Sequence, residues 1–262
     1  MITITGLQIE QYMLVLMLSA VRIFGVFLTA PVFAFRALPM QFRVMLTLLL
    51  AFYVFPMVGT ANFPTPGGNI NFFFVVIELA IGAFIGFMIR LGLMAVDVAA
   101  EVLSFQAGFS FASTFFNDPM LNSGLVGQFL SLVMIALCFA LNIHLLVIDL
   151  VLSSFKTLPF GVWPSQWGIQ AFIDILTSSF RLGLILAMPI LLVYIMFNMT
   201  QAFLGRTSPQ MNLFSVGFAI SIPLAFLVLV IILPDLPDVL KRSLEEPLGL
   251  IRQGLGVKNA PQ

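Results

Sequence analysis

Five ionisable side chains stand in apolar surroundings that give them nothing to bind. Arg22 lies near the middle of the apolar run Met13–Phe35, and Glu78 sits one turn into the run Phe72–Val96. Arg90, Asp97 and Glu101 follow in the same region, at offsets of seven and four that put them on roughly one face of a helix. A charge at the centre of a bilayer costs about 2.5–3.5 kcal/mol or more unless it is paired or faces water. Arg22 and Glu78 therefore each predict a neighbouring helix that satisfies them. Snorkelling is the other route for Arg22, and its central position makes that route poor. The face carrying Arg90, Asp97 and Glu101 reads as meeting protein or a watery channel; the alternative is a helix that leaves the bilayer and is solvated.

None of these charges belongs to a catalytic set. The single histidine, His144, excludes a His-rich zinc site, which needs two or three imidazole ligands. The single cysteine, Cys138, excludes an intrachain disulfide and any multi-cysteine metal site. Cys138 reads as a small buried hydrophobe, and His144 as a polar contact to a neighbouring helix. No glycine loop with a lysine is present to cradle phosphates, and no nucleophile motif surrounds a serine. The expectation is a protein that is not an enzyme, with no cofactor and no metal.

The wider composition says what must position these residues. Of 262 residues, 61% are apolar and 8% charged, with eleven Lys/Arg against eleven Asp/Glu. A soluble domain carries roughly 25% charged residues, so water cannot surround this chain. A mean hydropathy of +1.13 agrees. The balanced charge offers nothing sequence-wide to nucleic acid. The first twelve residues hold Glu10 and no Lys or Arg, which argues against a removable leader. The reading is an all-α, polytopic integral membrane protein.

Six stretches are long or apolar enough to be spans: Met13–Phe35, Met45–Val58, Phe72–Val96, Leu125–Leu152, Leu182–Leu204 and Leu213–Leu233. Pro39, the Pro64–Gly68 cluster, Pro119 and Leu158–Pro164 mark the joints. Trp163 and Trp167 fall in the last of these connectors or just beyond it, the usual interfacial place for tryptophan. The tail from Asp235 is polar and is expected outside the hydrocarbon. Phe72–Gln106 contains no proline, so one helix of about 52 Å is possible there, far longer than the ~30 Å hydrocarbon core. The distribution of Lys and Arg leaves the orientation open, and the repeated RLGL at residues 90 and 181 is too short to indicate a duplicated fold.

Glu78, Gly82, Gly86 and Arg90 succeed one another at i+4 and trace one inclined ridge. Gly82-x-x-x-Gly86 removes two side chains from that ridge, so a second helix can lie against it at close range. Two loops stand out. Gln106–Asn122 mixes Phe109, Phe111, Phe115 and Phe116 with Gly108, Ser110, Ser113 and Thr114. It reads either as a dry plug in a pore or as an interfacial loop resting on lipid. Leu204–Leu213 is a short polar joint with Arg206, Pro209, Gln210 and Asn212, either a solvated turn or a docking loop. Fourteen methionines and twenty-nine phenylalanines suit adaptable apolar packing.

Several of these segments together resemble the FliR family of the flagellar type III export apparatus. The resemblance rests on Arg22 followed by Thr29–Phe33 (TAPVF), on Leu38–Leu46, Glu78–Phe87, Ala99–Ala112 and Asn117–Pro119, and most specifically on Phe203–Phe218, FLGRTSPQMNLFSVGF. Ser154–Phe155 and Leu158–Pro159 also look like the family. The likeness runs over nearly the whole chain.

That resemblance implies long, kinked helical hairpins that assemble with FliP and FliQ subunits into a helical channel complex. Residues 1–165 would be a FliP-like part, 166–235 a FliQ-like hairpin and 236–262 a polar tail. The channel would pass unfolded flagellar substrates across the bacterial inner membrane at the flagellar basal body, part of it above the membrane plane, with FlhB and FlhA nearby. Gly108, Phe109, Ser110, Phe111, Ala112, Ser113, Thr114, Phe115, Phe116 and Asn117 would form the pore plug. Arg206, Pro209, Gln210 and Asn212 would lie at the cytoplasmic entrance, facing an FlhB-like partner. Arg22, Glu78, Gly82 and Gly86 are expected at subunit contacts, and Arg90, Asp97 and Glu101 at subunit contacts or facing the channel. An injectisome role and a self-contained transporter or proton channel built on the intramembrane charges are the rival readings.

Overall fold

The computed structural model describes residues 6–34, 39–58, 72–108, 124–208 and 213–256. Among the described residues there are helices and turns and no strand. The helices are α1 (Gly6–Thr29), α2 (Met40–Val54), α3 (Phe72–Gln106), α4 (Gly124–Ala140), α5 (Ile143–Thr157), α6 (Ile169–Thr207), α7 (Leu213–Ile232) and α8 (Leu236–Gly254), with a 3-10 turn at Leu233–Asp235.

The six expected spans become four helices long and apolar enough to cross a membrane, or five if one bent pair counts as a span. Two of the expected stretches account for the difference. Met40–Val54 has 15 residues, about 22 Å of helix, which falls short of a ~30 Å core. The stretch Leu125–Leu152 is interrupted between α4 and α5, where Asn142 takes a left-handed φ of 57°. Asparagine tolerates that region better than most side chains, and one such residue is enough to end a helix. The long helix Phe72–Gln106, by contrast, is continuous over 35 residues. α6 is longer still at 39 residues and runs through Pro189. Prolines inside such apolar helices are tolerated where neighbouring groups take up the freed carbonyl.

The chain forms two compact units, each made of separate segments. The first gathers residues 1–91, 142–175 and 246–262; the second gathers 92–141 and 176–245. In the first unit, Ile23, Val26 and Phe27 of α1, Ile81, Ile85 and Ile89 of α3, and Val147 and Val151 of α5 are buried. In the second, Val96, Ala99 and Leu103 of α3, Ala187 and Ile190 of α6, and Val228 of α7 are buried. Gly183 marks a close approach there: a Cβ on it would lie 2.8 Å from the Ala95 carbonyl oxygen and 2.8 Å from the Val98 Cβ.

The tail expected outside the hydrocarbon is an amphipathic helix, α8. Leu236, Leu240 and Leu244 are buried at i+4 spacing, while Lys241, Arg242, Glu245 and Glu246 are exposed. Its charge stays outside, and its leucines belong to the core of the second unit.

Candidate functional site

The ridge on α3 is occupied by α1. A Cβ on Gly82 would run into the Arg22 carbonyl, and one on Gly86 would fall 2.8 Å from the Ala30 nitrogen. The matching gap on α1 is Gly25, where a Cβ would sit 2.6 Å from the Leu79 carbonyl oxygen and 2.8 Å from the Ala83 nitrogen. Thr29, four residues on, shares its hydroxyl between the carbonyls of Gly25 at 3.0 Å and Ala83 at 3.1 Å. Two small-xxx-small rows therefore face each other, and the backbones touch.

One turn before the α3 glycines, this contact buries a charge pair. Arg22 Nε donates to Glu78 Oε2 at 2.5 Å, and both side chains are 0% exposed. Burying two ions costs several kcal/mol each, and their attraction offsets that cost only where the remaining polar atoms are also bonded. Here most are. Arg22 Nη1 donates to the carbonyl and hydroxyl oxygens of Ser154 at 3.1 and 3.2 Å. The guanidinium carbon lies 4.6 Å from the centre of the Phe155 ring and 5.5 Å from that of Phe160, distances at which an aromatic face attracts a cation. The second carboxylate oxygen, Oε1, accepts from the backbone N–H of Gly161 at 2.8 Å. Gly161 has φ +78°, a conformation costly for any side-chain-bearing residue, and the Phe74 ring fills the place of its missing Cβ.

The pair thus ties α1, α3, α5 and the connector after α5 into one piece. The aromatic residues of that connector continue the packing. Trp167 stacks on Phe84 with centroids 4.7 Å apart, and Trp163 meets the same ring edge-on at 5.4 Å. Only Trp163 keeps the exposed position expected of an interfacial tryptophan; Trp167 is buried, with Gly254 leaving room for its indole.

A second polar clamp holds the base of the loop that begins at Gly108. Tyr194 of α6 donates its hydroxyl to the Ser221 carbonyl at 2.9 Å, and Ser221 of α7 donates its hydroxyl to the Ala107 carbonyl at 3.0 Å. Gly108 then turns the chain with φ +81° against the Phe218 ring.

The partners of Arg22, Glu78, Gly82 and Gly86 are thus found inside the chain, where a neighbouring subunit was expected; α1 packs there with a complementary glycine row of its own. Arg90, Asp97 and Glu101 are exposed, so the chain does not bury that charged face. Arg206 is exposed in the last turn of α6. Phe109, Ser110, Phe111, Ala112, Ser113, Thr114, Phe115, Phe116 and Asn117 lie outside the described residues, as do Pro209, Gln210 and Asn212. Sequence reasoning passed over Gly25 and Thr29, although their spacing from each other and from Arg22 carries a readable signal. Tyr194 and Ser221 had none. Among the described residues no group of three or more His, Cys, Asp or Glu could hold a metal ion, and Cys138 is buried as expected.

Against known proteins, residues 13–246 match the family described as bacterial export proteins, family 1. The chain is 26% identical to the flagellar biosynthetic protein FliR of Buchnera aphidicola subsp. Acyrthosiphon pisum over 259 residues, 97% of this chain and 99% of the relative. It is 31% identical to FliR of Pectobacterium carotovorum over 238 residues, 88% of each chain. FliR of Escherichia coli K12 is 27% identical over 221 residues, 81% of this chain and 82% of the relative.

Proposed function

Since the chain belongs to the FliR family of bacterial export proteins, we infer that it is a core, non-enzymatic subunit of a flagellar type III export gate in the bacterial inner membrane. The observation that carries this reading is the likeness to flagellar biosynthetic proteins along nearly the full length of both chains. In this reading the chain joins FliP and FliQ subunits in one channel complex at the flagellar basal body. Residues 1–165 serve as the FliP-like part, 166–235 as the FliQ-like hairpin and 236–262 as the tail. Unfolded flagellar proteins pass through the channel, and FlhA and FlhB act beside it.

The surface of the chain supports a subunit that is covered by other molecules. On α6, Met188, Leu192 and Phe203 are 61%, 65% and 72% exposed; on α2, Leu49 and Phe52 are 60% and 65% exposed. Exposed apolar area of this kind needs lipid or protein against it. Arg90, Asp97 and Glu101 interrupt the apolar surface with charge, which suits a subunit contact or a water-filled lumen better than lipid. Gly108–Asn117 is assigned as the plug of the closed pore. Arg206–Asn212 is assigned as the hairpin tip at the cytoplasmic entrance, where an FlhB-like partner binds.

A transporter built on Arg22, Glu78 and Asp97 would need water to reach all three; Asp97 is exposed, but Arg22 and Glu78 are fully enclosed with each other as partners. Co-expression decides between the two. A gate subunit is recovered in a complex with FliP- and FliQ-like chains, and its deletion stops the secretion of flagellar proteins. A stable monomer that couples to a solute on its own, with secretion intact in the deletion strain, would defeat the gate reading.

A further inference from the structure

Within the second compact unit, α6 and α7 pack antiparallel, and each runs through an internal proline, Pro189 and Pro223. A proline inside a helix has no N–H to give, and its ring crowds the carbonyl four residues back. Here those carbonyls belong to Ile185 and Ala219, so each helix loses a hydrogen bond and bends more easily at that turn. Two contacts fix the register of the pair. The Tyr194 hydroxyl meets the Ser221 carbonyl, and the Gln201 amide lies over Gly217, where a Cβ would sit 2.7 Å from Nε2. In that register Pro189 stands level with Leu227, about 6 Å along α7 from Pro223 at 1.5 Å per residue. The two weakened turns therefore lie within about one helical turn of each other.

The packing changes at the same level. On the near side, Leu186 and Ile190 of α6 and Leu229 of α7 are buried around one small void with Ala99 and Leu103 of α3. On the far side, from 191 to 207 on α6 and from 216 to 222 on α7, Tyr194 and Ser221 are buried and the other residues are half-buried or exposed. A segment with so few buried contacts opens at low cost. Tyr194 donates to the Ser221 carbonyl, and the Ser221 hydroxyl donates at 3.0 Å to the carbonyl of Ala107, just past the end of α3, where helix carbonyls lack an internal donor. Phe218 adds its ring against Gly108. We propose that the far halves of α6 and α7 form an arm that swings as one body about Pro189 and Pro223, with the Tyr194–Ser221–Ala107 hydrogen bonds as the latch that holds it to the end of α3. A load on the Arg206 end of the arm is thereby felt at the last turn of α3. The device stands on the fold alone and does not depend on the export reading.

The test uses the full chain in its assembled complex, with Cys138→Ala so that introduced cysteines alone carry spin labels on this chain. One pair joins Leu132 of α4 to Phe203 on the arm. The control pair joins Leu132 to Phe180, on the near side of the prolines; all three side chains are exposed. Pulsed electron-resonance distances for the arm pair should fall into two populations. Tyr194→Phe, which removes one donor from the latch, should raise the ratio of swung to latched arm about fivefold. Pro189→Ala with Pro223→Ala should merge the two populations into one, because both helices regain the missing N–H. The control pair should keep one distance throughout. An arm pair with the same distribution in the wild type, the Tyr194→Phe protein and the double alanine variant overturns the proposal, as does a control pair that moves with the arm. If the double alanine variant does not assemble, Tyr194→Phe alone decides, and an unmoved ratio overturns the proposal.

Discussion

Arg22 and Glu78, 56 residues apart in the chain, meet at 2.5 Å between α1 and α3 with no solvent reaching either. The meeting is possible because two glycine rows let the helix backbones touch one turn away, at Gly25 and Gly82. The carboxylate reaches further than its partner: through Oε1 it also holds the N–H of Gly161, in the connector after α5. One buried pair thus organises three helices and a loop.

Removing one member of the pair should be far more damaging than removing both. Glu78→Ala leaves the Arg22 charge buried without its partner and is expected to cost about 3–5 kcal/mol. The double variant Arg22→Met with Glu78→Leu should recover much of that loss, though not all, because the Gly161 N–H still lacks an acceptor. The midpoint of thermal unfolding in detergent, compared across the three proteins, reads the difference. Equal losses in the single and double variants would show that the pair is not the cause.

Gly82→Leu should lower the recovery of the folded chain itself, whether or not other subunits are present. Its first added carbon already meets the Arg22 carbonyl, which is backbone and cannot move aside as a side chain would. Gly249→Ala, with nothing near its Cβ, is the control. It should stabilise α8 by about 0.5–1 kcal/mol, since alanine holds a helix better than glycine. Size-exclusion profiles of the chain expressed alone check both. A normal profile for the leucine variant would contradict the close approach.

The clamp at the base of the Gly108 loop should yield to small changes. Tyr194→Phe removes only the donor to the Ser221 carbonyl, at an expected cost of about 0.5–1.5 kcal/mol. Ser221→Ala deprives the Ala107 carbonyl of its side-chain donor and should loosen the point where the chain leaves α3. Hydrogen exchange at residues 103–108 should rise in the serine variant. No change there would mean that the loop base is held by other contacts.

Deleting Ser110–Thr114 tests the plug assignment. The assembled complex should still form, and membranes holding it should conduct ions well above background. Conductance at background in a complex of normal composition would remove the plug from Gly108–Asn117.

Much of this was legible before any folding. The low charge content, the positions of the apolar runs and the proline-free stretch of α3 are local properties, and helix formation in an apolar setting follows from them directly. The spacing Glu78, Gly82, Gly86 likewise announced a close helix neighbour, since i+4 residues share a face however the rest of the chain folds. The break at Asn142 was not legible, because one residue in the left-handed region leaves no trace in an apolar run. By contrast, the short length of α2 was legible, since Met45–Val58 is the shortest of the six apolar stretches.

What the sequence determined by itself is the kind of molecule: helical, membrane-bound, with charges that must each find a partner. It could not say whose partner. Arg22 and Glu78 were open to a neighbouring subunit, and only the tertiary structure assigned them to each other. The physical reason is that pairing is a long-range property. It depends on which glycine row α3 presents to which helix, and on a connector whose Gly161 can reach the same carboxylate.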